Sequence, residues 1–180
     1  MIHYSNNSLL GLPTYKCQQC MMYVTGVGII DNDAIKQTLN KLYAGQYWNE
    51  RNSELSISSN YTDADSQGKN RNFTSQYKYC IPHIKNKKNI LEIGTGSGQT
   101  IFWLDRLGYV VTGIEPDARN VNMINQKLKH SKVKTCYVEN LQIEEEFEII
   151  WMSHVLEHLL NPDVFLRSIS RNLRKDGIFY

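Results

Sequence analysis

From residue 89 onward the chain alternates short apolar runs with amphipathic stretches, and that alternation leaves few folds open. The runs at 89–93, 109–114, 133–138 and 147–152 have the length and composition of buried strands, while 99–107, 117–129 and 162–173 carry helical spacing. Strands that alternate with helices pair in parallel, and the crossovers cover both sheet faces. The expectation is an α/β domain with a doubly wound, mostly parallel sheet. The last residues, 177–180, fall at the opening of a further strand, so the sheet is expected to be C-terminally incomplete, with an open edge that invites self-association or a partner strand.

The first half has a different texture. Residues 1–50 read as a small leader: 14–30 mix Cys-x-x-Cys with short β-prone runs, and 31–47 suit a helix capped by Asp31 or Asp33, with Ile35, Leu39 and Leu42 on one face. Residues 51–72 are rich in Ser, Asn, Asp, Gln and Gly and are expected to be a polar linker or mobile loop. Phe73, Tyr77, Ile81 and Ile84 then recur at helical spacing, in a helix that Pro82 should end or kink. The main domain is expected to occupy 73–180.

A formal net charge of +2 provides no basic field for nucleic acid, and the lysines at 85–88 and 127–134 read as solvated surface. No run approaches the roughly 18 apolar residues of a membrane span, and residues 1–12 lack a signal-like apolar core, which points to the cytoplasm. Cys80 and Cys136 lie in apolar-patterned segments and are expected in the core.

The stretch LEIGTGSGQT, from Leu91 to Thr100, follows the first strand and opens the first helix, the usual ligand cradle of such folds. Its spacing is Gly94-x-Gly96-x-Gly98, and Gln99 stands where the dinucleotide fingerprint has its third glycine. Glu92 brings a carboxylate to a site that a pyrophosphate would already make negative, so the pattern suits a cation better than a phosphate. Glu115, closing the next strand in VTGIEP, can accept hydrogen bonds from both hydroxyls of a ribose. An adenosine-type ligand with positive charge and no phosphates meets both demands, and S-adenosylmethionine (SAM) is such a ligand. The plainer alternatives are a tight turn and a solvated strand-end acid; an NAD-type oxidoreductase is disfavoured by Gln99 and Glu92.

Three segments in order, LEIGTGSG, VTGIEP and FEIIWMSHVLEHLLNPDVFLRSISRNLRKDG, resemble the class I (Rossmann-like) SAM-dependent methyltransferases, small-molecule type with a V-L-E-H motif. The resemblance spans residues 89–180, with Glu148 in place of the usual Asp and Asp176 in place of the first glycine before Gly177. It implies a seven-stranded family sheet and a small-molecule methyl acceptor. It also implies that Gly94, Thr95, Gly96 and Gly98 form the cofactor loop, the first three near the methionine end, with Glu92 facing the ammonium. Glu115 would hold the ribose and Pro116 would lie beside the adenine. The turn 139–141 would supply a polar contact and an apolar wall, with Asn140 and Leu141 as candidates, and Ser153 and His154 would lie near the methyl. The alternative is a SAM-binding fragment or interaction protein without turnover.

His154 and His158 are the candidate bases for an acceptor hydroxyl or carbon acid, since imidazole titrates near neutral pH. Together with Glu157 they also spell H-x-x-E-H, whose spacing would put both imidazoles on one helical face as in zinc proteases. That reading leaves the glycine loop unexplained. In the leader, YKCQQCMMYVTG and LNKLYAGQYWNERN resemble the second half of a zinc-ribbon leader found in a subset of these enzymes. A structural zinc needs four ligands, and only His3 precedes Cys17, so no metal is expected and Cys17 and Cys20 are expected to be packing residues.

Overall fold

The computed structural model describes residues 2–5, 14–25, 32–43, 47–65 and 71–180. The chain divides into two compact units, 1–41 and 42–180. In the first, β1 (Ile2–Ser5), β2 (Thr14–Lys16) and β3 (Tyr23–Thr25) form an antiparallel sheet in that order, and α1 spans Asn32–Lys41. Asp31, one of the two expected caps, lies outside the described residues. Cys17 and Cys20 sit in the β2–β3 turn, closed by hydrogen bonds from Cys17 N–H to Met22 O (2.8 Å) and from Met21 N–H to Cys17 O (3.0 Å). Cys20 is exposed. The packing role expected for the pair is therefore corrected for Cys20, while Cys17 is partly buried.

The second unit opens with α2 (Tyr47–Glu50), α3 (Ser53–Asp65) and α4 (Arg71–Ile84). The stretch expected to be a linker instead carries α3, with Ile57 and Ala64 buried and Tyr61 partly buried at helical spacing. Its polar background hides the stripe, which becomes decisive only when α5 is there to receive it: Tyr61 meets Phe102 edge-on at 5.3 Å, and the Arg106 guanidinium lies 4.4 Å from the Tyr61 ring centre. Residues 66–70 of that stretch lie outside the described residues, and its last two, Arg71 and Asn72, already belong to α4. In α4 the helix runs through Pro82, because Ile84 beyond it is buried; Cys80, also buried, takes the core-facing place expected of Ile81, which is 38% exposed.

The sheet that follows has five strands in the order β6-β5-β4-β7-β8, every pair parallel: β4 (Asn89–Ile93), β5 (Val110–Glu115), β6 (Lys132–Thr135), β7 (Phe147–Met152) and β8 (Leu173–Phe179). The chain steps outward from β4 to β6 and returns on the other side of β4, so the order reverses between β4 and β7. This is the expected doubly wound α/β sheet, and β8 starts before the 177–180 segment that sequence pattern marks as strand. α5 (Gln99–Arg106) and α6 (Ala118–Asn125) pack with α3 and α4 over one face, around Ile90, Val111 and Ile149; α7 (Pro162–Ile169) covers the other, around Leu91, Ile93 and Ile150. α6 ends before the expected 129, where the Asp105 carboxylate captures the amides of Lys129, His130 and Ser131 at 2.8–3.0 Å and turns the chain into β6. Cys136 is partly buried against the second face.

Glu148, where the resemblance expects Asp, accepts the amides of Lys88 (2.8 Å) and Asn89 (3.0 Å) and ties the start of β4 to β7. Among the described residues no helix is long and apolar enough to cross a membrane.

Candidate active site

The β4–α5 loop can exist only as glycine-rich backbone. Gly94 and Gly96 have φ of 76° and 59°, and a Cβ on Gly94 would lie 2.3 Å from Val155 Cγ2. The loop is stapled to the end of β5: the amides of Gly94 and Thr95 both donate to Ile114 O at 3.0 Å, and that of Gly96 donates to Glu115 Oε2 at 2.8 Å. Gly113 makes this possible, since a Cβ there would stand 2.5 Å from Thr95 Oγ1. Asn120, fully buried at the start of α6, donates to Gly96 O at 3.2 Å. Three successive loop amides are therefore committed to β5. A pyrophosphate cradle would need such donors turned toward the ligand.

What faces the cavity instead is a set of acids. The space above the loop measures about 720 Å³, room enough for a nucleoside and a small acceptor. Glu92, Glu115 and Glu139 line it, and no lysine or arginine does among the described residues. Burial pushes the Glu92 carboxyl up to about 8, with Thr100 pulling it back in part and Glu115 pushing further; its Oε2 has no hydrogen-bond partner among the described residues. Burial pushes Glu115 up to about 7 against the pull of the Asp117 and Gly96 amides and the Trp48 indole. Two buried carboxylates with raised proton affinity make a site that gains from a cation.

Of the residues singled out from sequence, Glu92, Gly94, Thr95, Gly96, Glu115 and Pro116 meet at this cavity, and Ser153, His154 and His158 close its far side. Gly98 is buried one step away as the left-handed N-cap of α5. Asn140 and Leu141 do not line the cavity: Asn140 is exposed, Leu141 packs under the second sheet face, and Val138 and Glu139 form the wall at that turn. The tight turn Val138–Asn140 rotates the expected pair past the site.

The far side departs from the helix that H-x-x-E-H requires. His154 sits in left-handed backbone (φ 57°), and only Leu156–His158 forms a 3-10 turn, so the two imidazoles do not share an α-helical face and the zinc-protease arrangement is not built. His154 Nδ1 lies 3.5 Å from Glu157 Oε1, and His158 meets the edge of Tyr43 at 5.8 Å. Ser153 Oγ accepts from Gln76 Nε2 at 3.2 Å, which brings α4 into the wall.

Sequence reasoning missed the residues arriving from the N-terminal side of the unit: Tyr43, Tyr47 and Trp48, with Ser75 and Gln76. The signal was the Y-x-x-x-Y-W spacing itself, assigned above to the leader; Tyr47 and Trp48 stack edge-on at 5.0 Å beside the glycine loop.

Comparison with known proteins agrees with this geometry. Residues 91–180 match the family model described as "Methyltransferase domain". The chain is 32% identical over 101 residues to the ubiquinone biosynthesis O-methyltransferase of Pelagibacter ubique (strain HTCC1062), covering 54% of this chain and 42% of that protein. It is 30% identical over 104 residues to the protein of the same name from Glaesserella parasuis serovar 5 (strain SH0165), covering 52% and 44%. The matched region thus spans less than half the length of these relatives. Among solved structures, plantazolicin methyltransferase BpumL with S-adenosylhomocysteine (SAH) aligns at TM-score 0.55 and 19% identity over 82% of this chain and 60% of that one. Coclaurine N-methyltransferase bound to N-methylheliamine and SAH aligns at 0.56 and 17%, over 84% and 58%. The fold is theirs, and with half of its residues matched by the family model, the chain belongs to the methyltransferase-domain family.

Proposed function

We propose that this chain is the cofactor-binding part of a SAM-dependent methyltransferase acting on a small molecule. The observation that carries the reading is the loop whose amides are committed to β5 while two buried carboxylates, Glu92 and Glu115, face the cavity. That donor set fits a cationic nucleoside and repels a pyrophosphate. In this reading Glu115 takes the ribose hydroxyls, Pro116, Val138 and Glu139 border the adenine, the backbone of Gly94–Gly96 borders the methionine portion, and Glu92 faces the ammonium.

When bound, the sulfonium supplies an already activated methyl group. The protein's part is alignment and exclusion of water. Ser153, His154 and His158, with Tyr43 and Gln76, bound the acceptor side. A proton leaving an acceptor hydroxyl would pass to an imidazole there, with His154 first and His158 second in order of candidacy. The relatives' names point to a phenolic or quinol-like hydroxyl as acceptor class. All four cysteines are free thiols among the described residues, in keeping with a cytoplasmic setting. In the same reading the outer edge of β8, where Phe179 is exposed, is the place for a partner strand or a second copy.

Calorimetric titration with SAH and, separately, NAD tests the reading. Micromolar SAH binding with NAD silent is the expected result; tighter NAD binding would overturn it. SAH binding without methyl transfer to any phenolic acceptor would favour a SAM-binding protein that lacks turnover.

A further inference from the structure

Four rings form a continuous wall along the cavity. His158 meets Tyr43 at 5.8 Å and 64°, Tyr43 meets Tyr47 at 5.8 Å and 52°, and Tyr47 meets Trp48 at 5.0 Å and 88°. All four line the same space. The wall ends at the glycine loop, where Trp48 Cζ2 lies 3.3 Å from the point a Cβ on Gly96 would occupy. One end is therefore a candidate base, and the other is the loop that borders the methyl donor.

Tyr43 is the ring on which an acceptor can rest. It is half-buried and held from two sides, by Tyr47 and His158, so its orientation is set before a ligand arrives. Tyr47 has less to offer, because the Arg51 guanidinium lies 4.2 Å from its centroid and takes one face of the ring. The wall also has a sign. Aromatic faces are negative, and Glu139 lines the cavity with them. Burial first, then the charges of Tyr47, Glu157 and Glu139, push the Tyr43 hydroxyl above its usual range. A carboxylate or phosphate brought here gives up its water and meets π faces and acids in return. An uncharged aromatic ring, whose edge is positive, gains from the same surface. A saturated ring of equal size has no such edge.

We propose that Tyr43 determines acceptor specificity: it seats a flat, uncharged aromatic ring between His158 and the glycine loop, and turns away saturated rings and rings that carry a carboxylate or phosphate. The inference rests on the reading above, that the cavity holds SAM and an acceptor together, and it adds a charge rule to the acceptor class.

The test is calorimetric titration of the full chain, saturated with SAH, at neutral pH with three probes: catechol, its saturated counterpart vicinal cyclohexanediol, and protocatechuate, which adds a carboxylate to catechol. Catechol should bind at least about tenfold more tightly than either of the others. Tyr43→Leu keeps apolar bulk without the ring and should weaken catechol roughly threefold to tenfold, the worth of one aromatic pair. Tyr43→Phe restores the ring and should restore catechol affinity, which a merely structural hydroxyl contact would not predict. Equal affinity for catechol and cyclohexanediol, equal affinity for catechol and protocatechuate, no catechol binding, or an unchanged affinity in a folded Tyr43→Leu would each overturn the proposal while SAH binding leaves the methyltransferase reading standing. Absence of SAH binding by the folded wild-type chain would overturn that reading and this inference with it.

Discussion

The two sides of the cavity are built on opposite principles. On the β4–β5 side, backbone does the shaping: left-handed glycines, three amides given to β5, and a buried carboxylate locked by two of the chain's own amides. On the β7 side, side chains from Tyr47 of α2, from α4 and from the 154–158 turn converge from far apart in the chain, and none of those that line the cavity is buried. The lesson is that a recognition surface for an invariant ligand can be written into one short motif, whereas a surface for a variable acceptor is assembled from several elements.

Gly94→Ala attacks the backbone side hardest. The new methyl would collide with Val155 and demand left-handed backbone from alanine, so a loss of about 3 kcal/mol in unfolding free energy is expected from the two costs together. Urea denaturation reads it; an unchanged midpoint would mean the loop is plastic.

Glu115→Ala should weaken SAH by about 1.5–3 kcal/mol, the scale of hydrogen bonds to a charged group. The calorimetric Kd decides, and an unaltered value would remove Glu115 from the ribose.

The raised carboxyls predict opposite pH trends for stability and binding. Glu92 and Glu115 hold protons more tightly folded, at about 8 and 7, than unfolded, so their contribution to stability is complete below the ordinary carboxylate range and is lost as pH rises through 7 to 8. A cationic ligand favours the ionised forms, so SAM should bind more tightly across the same rise and release protons on binding. Melting temperatures and SAM affinities measured from about pH 5.5 to about pH 8.5, a range that brackets both titrations, should diverge; parallel trends would break the comparison.

His154→Asn gives the smallest effect, on the side-chain face. Asparagine tolerates left-handed backbone better than histidine, so stability should rise by about 0.5 kcal/mol with SAH affinity unchanged. A loss of stability in thermal unfolding would show that the His154–Glu157 contact outweighs the strain.

Much of the backbone side is legible in the amino-acid sequence. Glu92, the glycines and Glu115 announce themselves because their spacing is local: strand, turn and strand end fall within one β-α-β unit. The Asn140–Leu141 pair fails for a local reason too, a tight turn that moves the wall to Val138 and Glu139. α3 and Trp48 are illegible for a different one. Ile57, Tyr61 and Ala64 are sparse among polar residues, and only contact with α5 gives their stripe a partner.

Alternation of strand and helix, together with glycines that no other residue can replace, determined the sheet, its switch point and the place of the glycine loop, because these depend on neighbours in the chain. The tertiary structure alone decided which distant side chains share the cavity, that the H-x-x-E-H stretch is a turn, and that an indole stands beside Gly96. Those outcomes depend on packing between elements far apart in sequence, which no local pattern encodes.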